Sequence, residues 1–228
     1  MHNVRLFYFL LLIVMVFTPV SKSLAEGLSD RAEDLVLLLQ KKYETTTDIT
    51  SNFEQETFAA GSSEGLKAEG KVYFNRPNQM RWEYNQPEPQ LIVTSGQEVY
   101  VYEKEANQVM VLPRDQLLST EISKAFFFGK GDIKHYFIVE HPVEGQPEAK
   151  WMLKLTPRNP IPQVCTIWIV VDSDIHLVKE MWLEDQLGGR THLVFKNIKA
   201  NKGLSDDLFQ FVPPPGVEIY RTDDQDRE

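Results

Sequence analysis

The chain has 228 residues, with 33 acidic and 24 basic side chains, and its formal net charge at pH 7 is −9. An acidic surface of this kind repels phosphate backbones and anionic headgroups, which argues against nucleic acid as a partner and against charge-driven residence on a lipid surface. The single cysteine, Cys165, excludes an intramolecular disulfide. Its place in an apolar run favours a small buried residue over a reactive thiol.

The N-terminus has the pattern of a secretory signal peptide. Arg5 precedes an apolar run over residues 6–17, and Ser23-Leu24-Ala25 offers small residues for cleavage. The run is shorter than the roughly 20 residues that a helix needs to cross a bilayer. We therefore expect residues 1–25 to be a signal peptide and residues 26–228 to form a single exported domain. The alternative is an uncleaved N-terminal anchor.

The first predicted element of that domain is an amphipathic helix from about Ser29 to Glu44. Ser29 is typical of a helix N-cap, and Leu37 and Leu38 widen the apolar face beyond that of a surface helix. We therefore expect the helix to be covered on more than one side. Its main face is formed by apolar residues at helical spacing: Ala32, Leu35, Val36, Leu39 and Tyr43.

From Ile49 onward, apolar and polar residues alternate, which predicts β-strands. Turn residues separate the runs closely enough to indicate an antiparallel meander. About eleven strands in one sheet should curl toward a barrel or fold into a sandwich. The runs begin at Ile49 and continue at 66–74, 80–84, 91–94, 98–102, 108–112, 136–140, 151–155, 164–171, 177–183 and 190–198.

Two segments depart from the alternation. Residues 117–131 show helical spacing and contain the triplet Phe126-Phe127-Phe128, whose side chains cannot share one side because neighbours on a helix are about 100° apart. The apolar side chains of this insertion either belong to an ordinary hydrophobic core beneath a loop, or they form a lid that closes an apolar cavity. Residues 209–217, with three consecutive prolines, predict a last apolar anchor and then an exit from the fold, with fraying after Tyr220.

Motifs for catalysis and metal binding are scarce. The sequence lacks HExxH, CxxC and S-x-x-K. His135, His141, His176 and His192 lack the spacing that would put two of them on one face of a helix as metal ligands. The segment Gly129-Lys130-Gly131-Asp132 lacks the spacing of a phosphate loop. We therefore expect no enzyme, no metal site and no cofactor.

Several short motifs occur in a fixed order along the chain. They are Asn52-Phe53-Glu54-Gln55, then residues 70–78 leading into Arg81-Trp82-Glu83-Tyr84, then 92–96, and a Phe-x-Phe-x-Pro-Pro-x-Gly-Val ending at 209–217. In these motifs and their order the chain resembles the outer-membrane lipoprotein carrier protein family, LolA. The resemblance implies a mainly β fold, an unclosed antiparallel barrel with a helical lid over an apolar cavity that takes lipoprotein acyl chains.

The resemblance also implies a monomeric carrier in the periplasm, with lipoprotein acyl chains as cargo. Its expected partners are the inner-membrane ABC transporter that extracts lipoproteins and, where one exists, an outer-membrane receptor. That receptor is itself a lipoprotein, so the missing cysteine at the expected cleavage site favours the carrier. The alternatives are a module of the same fold that binds another lipid, a domain that senses lipoproteins, and an enzyme acting on lipid.

The resemblance assigns site residues as well. Arg76 matches an arginine that holds the lid shut through hydrogen bonds to lid backbone, which suits the several donors of a guanidinium. The alternative is a charged turn residue before Pro77. The side chains expected to contact lipid are Phe53, Val72, Phe74, Met80, Trp82, Phe126 and Phe127.

Overall fold

The structure is a computed structural model that describes residues 21–115, 125–126, 133–141, 151–160 and 164–222, with the backbone alone over 21–30. Twelve strands and two helices make up the described part of the chain, together with a 3-10 turn at Asp206–Phe209. The elements are α1 (Ser21–Glu44), β1 (Asp48–Phe58), β2 (Gly65–Asn75), β3 (Gln79–Gln86), β4 (Gln90–Ser95), β5 (Glu98–Glu103), β6 (Gln108–Pro113), α2 (Ile133–Tyr136), β7 (Phe137–Glu140), β8 (Met152–Pro157), β9 (Thr166–Val171), β10 (Val178–Glu184), β11 (Arg190–Ala200) and β12 (Glu218–Arg221).

All twelve strands belong to one sheet, in the order β12-β6-β5-β4-β3-β2-β1-β11-β10-β9-β8-β7. Two antiparallel meanders, β1–β6 and β7–β11, join where β1 pairs with β11. Strands β12 and β7 are the outer strands of the described sheet, which is therefore not a closed barrel. This confirms the predicted mainly β, unclosed, largely antiparallel architecture.

The twelfth strand corrects the expected C-terminal exit. Residues Glu218–Arg221 pair in parallel with β6. Asn107 holds the start of this strand, because its carbonyl accepts from Glu218 N at 3.1 Å and its side-chain amide donates to Gly216 O at 2.9 Å. All four residues of β12 are exposed. A short exposed strand shows no alternation of apolar residues, so the sequence pattern missed it.

Helix α1 begins at Ser21, eight residues before the predicted start, and ends at Glu44 as predicted. Residues 21–28 contain no proline and a single glycine, Gly27, so this segment can extend the helix toward the N-terminus. The five residues of the predicted main face are all buried. The expectation of a second covered side was wrong, since Leu37 and Leu38 are 60% and 41% exposed. None of the helices in the described residues is both long and apolar enough to span a bilayer.

The apolar interior forms two clusters on the face of the sheet that α1 covers. The helix-side core packs α1 and Phe126 against the inward residues of β7–β10. The aromatic cluster lies on β1–β3 and consists of Phe53, Val72, Phe74, Met80 and Trp82. Ile49 and Leu193 pack against both clusters. The two clusters therefore meet along a boundary that contains Ile49 and Leu193.

Candidate functional site

An apolar cavity lies at this boundary. Its volume is about 30 Å³, enough for one or two water molecules. Helix α1, Phe126 and four neighbouring strands supply its walls. The lining residues are Tyr43, Ile49, Ser51, Val72, Phe74, Phe126, Leu177, Val178, Met181, Phe195 and Ile198.

The alternation of strand residues explains most of this lining. Val72 and Phe74 are two apart on β2 and point to the same face. Phe195 and Ile198 on β11 are three apart, which a regular strand would not allow. The register between β1 and β11 shifts between Thr50 and Asn52, and Asn197 has a positive φ of 56°. This β-bulge turns both β11 side chains toward the cavity.

Ser51 is the one short polar side chain in the wall, and it is buried. Its hydroxyl lies 2.8 Å from the carbonyl oxygens of Asn52 and Lys196, at the bulge. The hydroxyl is thus hydrogen-bonded to the backbone rather than presented to a ligand. The cavity wall is therefore suited to hydrocarbon.

The structure brings most of the predicted lipid-contact residues together. Val72, Phe74 and Phe126 line the cavity, while Phe53, Met80 and Trp82 pack beside it in the aromatic cluster. The Trp82 ring makes edge contacts with Phe53 and Phe74, at centroid distances of 4.8 Å and 5.9 Å. Phe127 and the rest of the predicted helical insertion lie outside the described residues, apart from the buried pair at 125–126.

Sequence reasoning missed the far wall of the cavity. Leu177, Val178 and Met181 on and before β10, with Phe195 and Ile198, were assigned to strands but not to the site. Their alternation marks an inward face without showing which part of the sheet curves over the cavity. Asn197 is the one local signal for the bulge, since asparagine tolerates positive φ better than most residues.

Arg76 lies at the turn between β2 and β3, beside the end of α1. Its Nη1 donates to Tyr43 O at 2.6 Å, and its guanidinium carbon lies 5.4 Å from the centroid of the Tyr43 ring. Its backbone N–H donates to Thr47 O at 2.9 Å. In the described residues the partner of the guanidinium is thus the C-terminal turn of α1.

Burial shapes the chemistry of this pair. Desolvation lowers the pKa of Arg76, an effect that its interaction with Tyr43 opposes. Burial also raises the pKa of Tyr43 to about 12, against the opposing effects of a backbone hydrogen bond with Val178 and the charge of Arg76. Arg76 Nη2 is buried without a hydrogen-bond acceptor in the described part of the chain. The arginine is therefore held by one strong bond, and the desolvation of its guanidinium is compensated only in part.

The sequence contains one motif that is typical of a catalytic serine: Gly61-Ser62-Ser63-Glu64-Gly65 fits G-x-S-x-G. A nucleophile elbow needs a strand followed by a helix. Here the motif connects the antiparallel strands β1 and β2, and Ser63 is exposed at the hairpin. No group of His, Cys, Asp or Glu in the described residues could hold a metal ion.

Comparisons with known proteins agree with this fold. A protein from Nitrosomonas europaea named outer-membrane lipoprotein carrier protein is 34% identical over 171 residues, which is 75% of this chain and 81% of that protein. A protein of the same name from Bordetella avium is 29% identical over 199 residues, covering 87% and 90% of the two chains.

Among solved structures, an uncharacterized conserved protein from Thermus thermophilus matches with a TM-score of 0.53. It is 14% identical and the match covers 83% of this chain and 98% of that one, a likeness of fold alone. The model of the family described as outer membrane lipoprotein carrier protein LolA matches residues 44–212. With most of its length matched in this way, the chain belongs to the LolA family of lipoprotein carriers, a family that is not enzymatic.

Proposed function

We propose that this protein is a periplasmic carrier that accepts lipoproteins at the inner membrane and delivers them to the outer membrane, with their acyl chains held in the cavity. The observation that carries this proposal is the apolar lining at the boundary of the two clusters, in a chain of the LolA family. Each CH₂ group moved from water into such a site contributes about 0.8 kcal/mol. Acyl chains would therefore bind there without any covalent step.

The cavity must widen before it can hold cargo. A cavity of about 30 Å³ holds one or two water molecules, which is far less space than an acyl chain needs. The helix-side core and the aromatic cluster meet at the cavity, so their separation would enlarge it without breaking either cluster. Cargo would thus fill space that the apolar side chains occupy in the closed form.

Arg76 is suited to act as a latch for the closed form. Its single bond to Tyr43 O ties the end of β2 to the end of α1, across the wall that contains Phe74. A hydrogen bond from a charged donor contributes roughly 1.5–3 kcal/mol, and the buried Nη2 offsets part of this. Such a latch favours closure while leaving the opening cheap enough for cargo to enter.

The proposal includes the location and the partners that the family implies. Residues 1–25 would be removed as a signal peptide and residues 26–228 would be released into the periplasm as a single domain. Lipoproteins would be received from the inner-membrane extracting ABC transporter and passed to an outer-membrane lipoprotein receptor where the organism has one.

Lipopeptide binding tests the proposal. The exported protein is titrated with a triacylated lipopeptide and with the same peptide without acyl chains, and we expect one-to-one binding of the acylated form alone. Ile198→Trp narrows the cavity and should weaken binding about tenfold, or about 1.4 kcal/mol. The matched control Ile219→Trp, on exposed β12, should not change it. Equal binding of the two peptides would contradict the proposal.

A further inference from the structure

Four polar side chains lie together on the face of the sheet that carries the aromatic cluster. Gln55 and Thr57 follow Phe53 on β1 at intervals of two residues, so they point to the same face as that ring. Tyr84 packs against the aromatic cluster from β3. Thr191 on β11 is the register partner of Thr57 and shares its face. The polar row consists of these four residues, Tyr84, Gln55, Thr57 and Thr191.

Hydrogen bonds link three members of the polar row. The hydroxyl of Tyr84 donates to Gln55 Oε1 at 3.1 Å, and Gln55 Nε2 donates to Thr57 Oγ1 at 3.2 Å. Burial raises the pKa of Tyr84, so its hydroxyl stays protonated and keeps donating. The Gln55 amide is therefore held on both sides. An amide nitrogen carries two N–H donors, and the second one of Gln55 has no acceptor within the described part of the chain.

The polar row lies between buried rings and the exposed end of the same sheet face. All four of its side chains are half-buried. On β2 the register partner of Gln55 is Ala68, which has only a methyl group. The partner of Thr57 is Leu66, which is 81% exposed. A chain that enters this face from solvent would therefore pass the polar row before it reaches the aromatic cluster.

The distance from the cavity to the polar row matches the length of an acyl chain. Ser51 in the cavity wall and Gln55 are four residues apart on β1, which is about 13 Å. The hydrocarbon core of a bilayer is about 30 Å thick, so the acyl chains of one leaflet span about 15 Å. A chain that ends in the widened cavity and runs along β1 would bring its first carbon, the carbonyl, to Gln55.

The chemistry of the polar row suits that carbonyl. None of its four side chains carries a formal charge, so the row offers no counter-charge to a phosphate or an ammonium group. An ester or amide carbonyl loses its water when it enters the protein, and a hydrogen bond from the protein offsets this cost. The second N–H of Gln55 is a donor of the required kind.

We infer that Gln55 determines the specificity of the site by donating a hydrogen bond to the acyl carbonyl of the cargo, with Tyr84 and Thr57 positioning its amide. The inference rests on the proposed function, because it needs acyl chains in the cavity. It adds recognition of the linkage to recognition of the apolar chain. An alkyl ether has the same chain without the carbonyl and leaves this N–H unpaired.

Calorimetric titration with a diacyl lipopeptide and with its dialkyl ether analogue tests the inference. The measured quantity is the ratio of the ester affinity to the ether affinity, because differences in hydration between the two ligands cancel when variants are compared. Gln55→Leu removes the donor and should lower this ratio about fivefold, in line with one hydrogen bond. Gln55→Glu keeps the shape but has no N–H group, and it should lower the ratio by at least as much.

Two further variants separate this role from a structural one. Tyr84→Phe leaves Gln55 in place but frees its amide, and it should lower the ratio by about twofold. Gln97→Leu makes the same change as Gln55→Leu at an exposed position in the turn between β4 and β5, and it should leave the ratio unchanged. A merely structural role of Gln55 would alter the affinities for ester and ether equally.

Ester carbonyls also occur in phospholipids, so diacyl phosphatidylethanolamine and its dialkyl ether are titrated in the same way. A Gln55-dependent ratio with both lipids assigns the bond to acyl carbonyls in general, and a ratio confined to the lipopeptides assigns it to lipoprotein. An unchanged ratio in Gln55→Leu and Gln55→Glu, with both lipopeptides still bound, would overturn the inference and leave the carrier function standing. A parent protein that binds neither lipopeptide would contradict the carrier function and the inference with it.

Discussion

Arg76 and Tyr43 are joined twice, by the 2.6 Å hydrogen bond from Nη1 to the tyrosine carbonyl and by the guanidinium at 5.4 Å from the tyrosine ring. The same tyrosine side chain lines the cavity. The connection between α1 and β1 is also fixed where it ends, because the buried carboxylate of Asp48 accepts from Lys202 N at 2.7 Å and from Gly203 N at 3.0 Å. The arginine therefore acts at the point where helix, sheet and cavity meet.

Replacing Arg76 should change cargo release more than uptake. Arg76→Leu removes the bond that favours the closed empty form, so filling the exposed apolar cavity becomes relatively more favourable. We expect the variant to fold, to take up lipoprotein, and to release it to membranes about tenfold more slowly, in line with a bond of roughly 1.5 kcal/mol. Arg76→Lys should be intermediate, because one ammonium does not reproduce the planar fork.

A release assay with outer-membrane vesicles measures this effect. Arg158→Leu is the control, since Arg158 also donates to a carbonyl, Lys134 O at 2.9 Å, away from the cavity. If Arg76→Leu released cargo as fast as the parent and was equally stable, Arg76 would be an ordinary turn residue.

Tyr43 should make stability depend on alkaline pH. Its pKa of about 12 in the folded protein lies above the unfolded value near 10. A raised pKa means that its contribution is complete below about pH 10 and is lost as the pH rises through about 12. Relative to Tyr43→Phe, the parent should lose about 2 kcal/mol of unfolding free energy between about pH 9 and pH 11.5.

Urea unfolding of the parent and of Tyr43→Phe across this pH range measures the difference in their unfolding free energies. Because Arg76 is present in both proteins, the difference reports on the phenol of Tyr43. A constant difference between the two proteins would show that the phenol is not buried in solution.

Gly70 should not accept a side chain. A Cβ at this position would overlap with Glu83 O and would lie 3.0 Å from a Phe53 ring carbon. The carbonyl belongs to the paired strand β3 and cannot move without separating the sheet. Gly70→Ala should therefore destabilise the protein by about 3 kcal/mol. Gly96→Ala, at a turn with φ of 63° and open space around it, should cost only about 1 kcal/mol.

Thermal and chemical unfolding of the two alanine variants compares them. Equal losses would mean that β2 and β3 can separate locally at Gly70.

The alternation of residues was enough to predict the first eleven strands along the chain and the buried face of α1, because both follow from a single period along the chain. Val72 and Phe74, which the family motifs pointed to, line the cavity for the same reason, and their contact with lipid stays a prediction. Leu37 and Leu38 were misread because apolar character alone does not tell a covered surface from an exposed one. The hydrogen bond from Arg76 to the Tyr43 carbonyl could not be predicted from the sequence, because every residue carries the same main-chain acceptor.

Native mass spectrometry of the protein released from the periplasm of its own host tests the central claim most directly, because it reports what the cavity holds in the cell. We expect one lipoprotein bound to each carrier chain, with binding lost when the acyl groups are removed. Ile198→Trp should lower the loaded fraction, and Ile219→Trp should leave it unchanged. Carrier chains that hold only phospholipid or glycolipid, and never an acylated protein, would contradict the account.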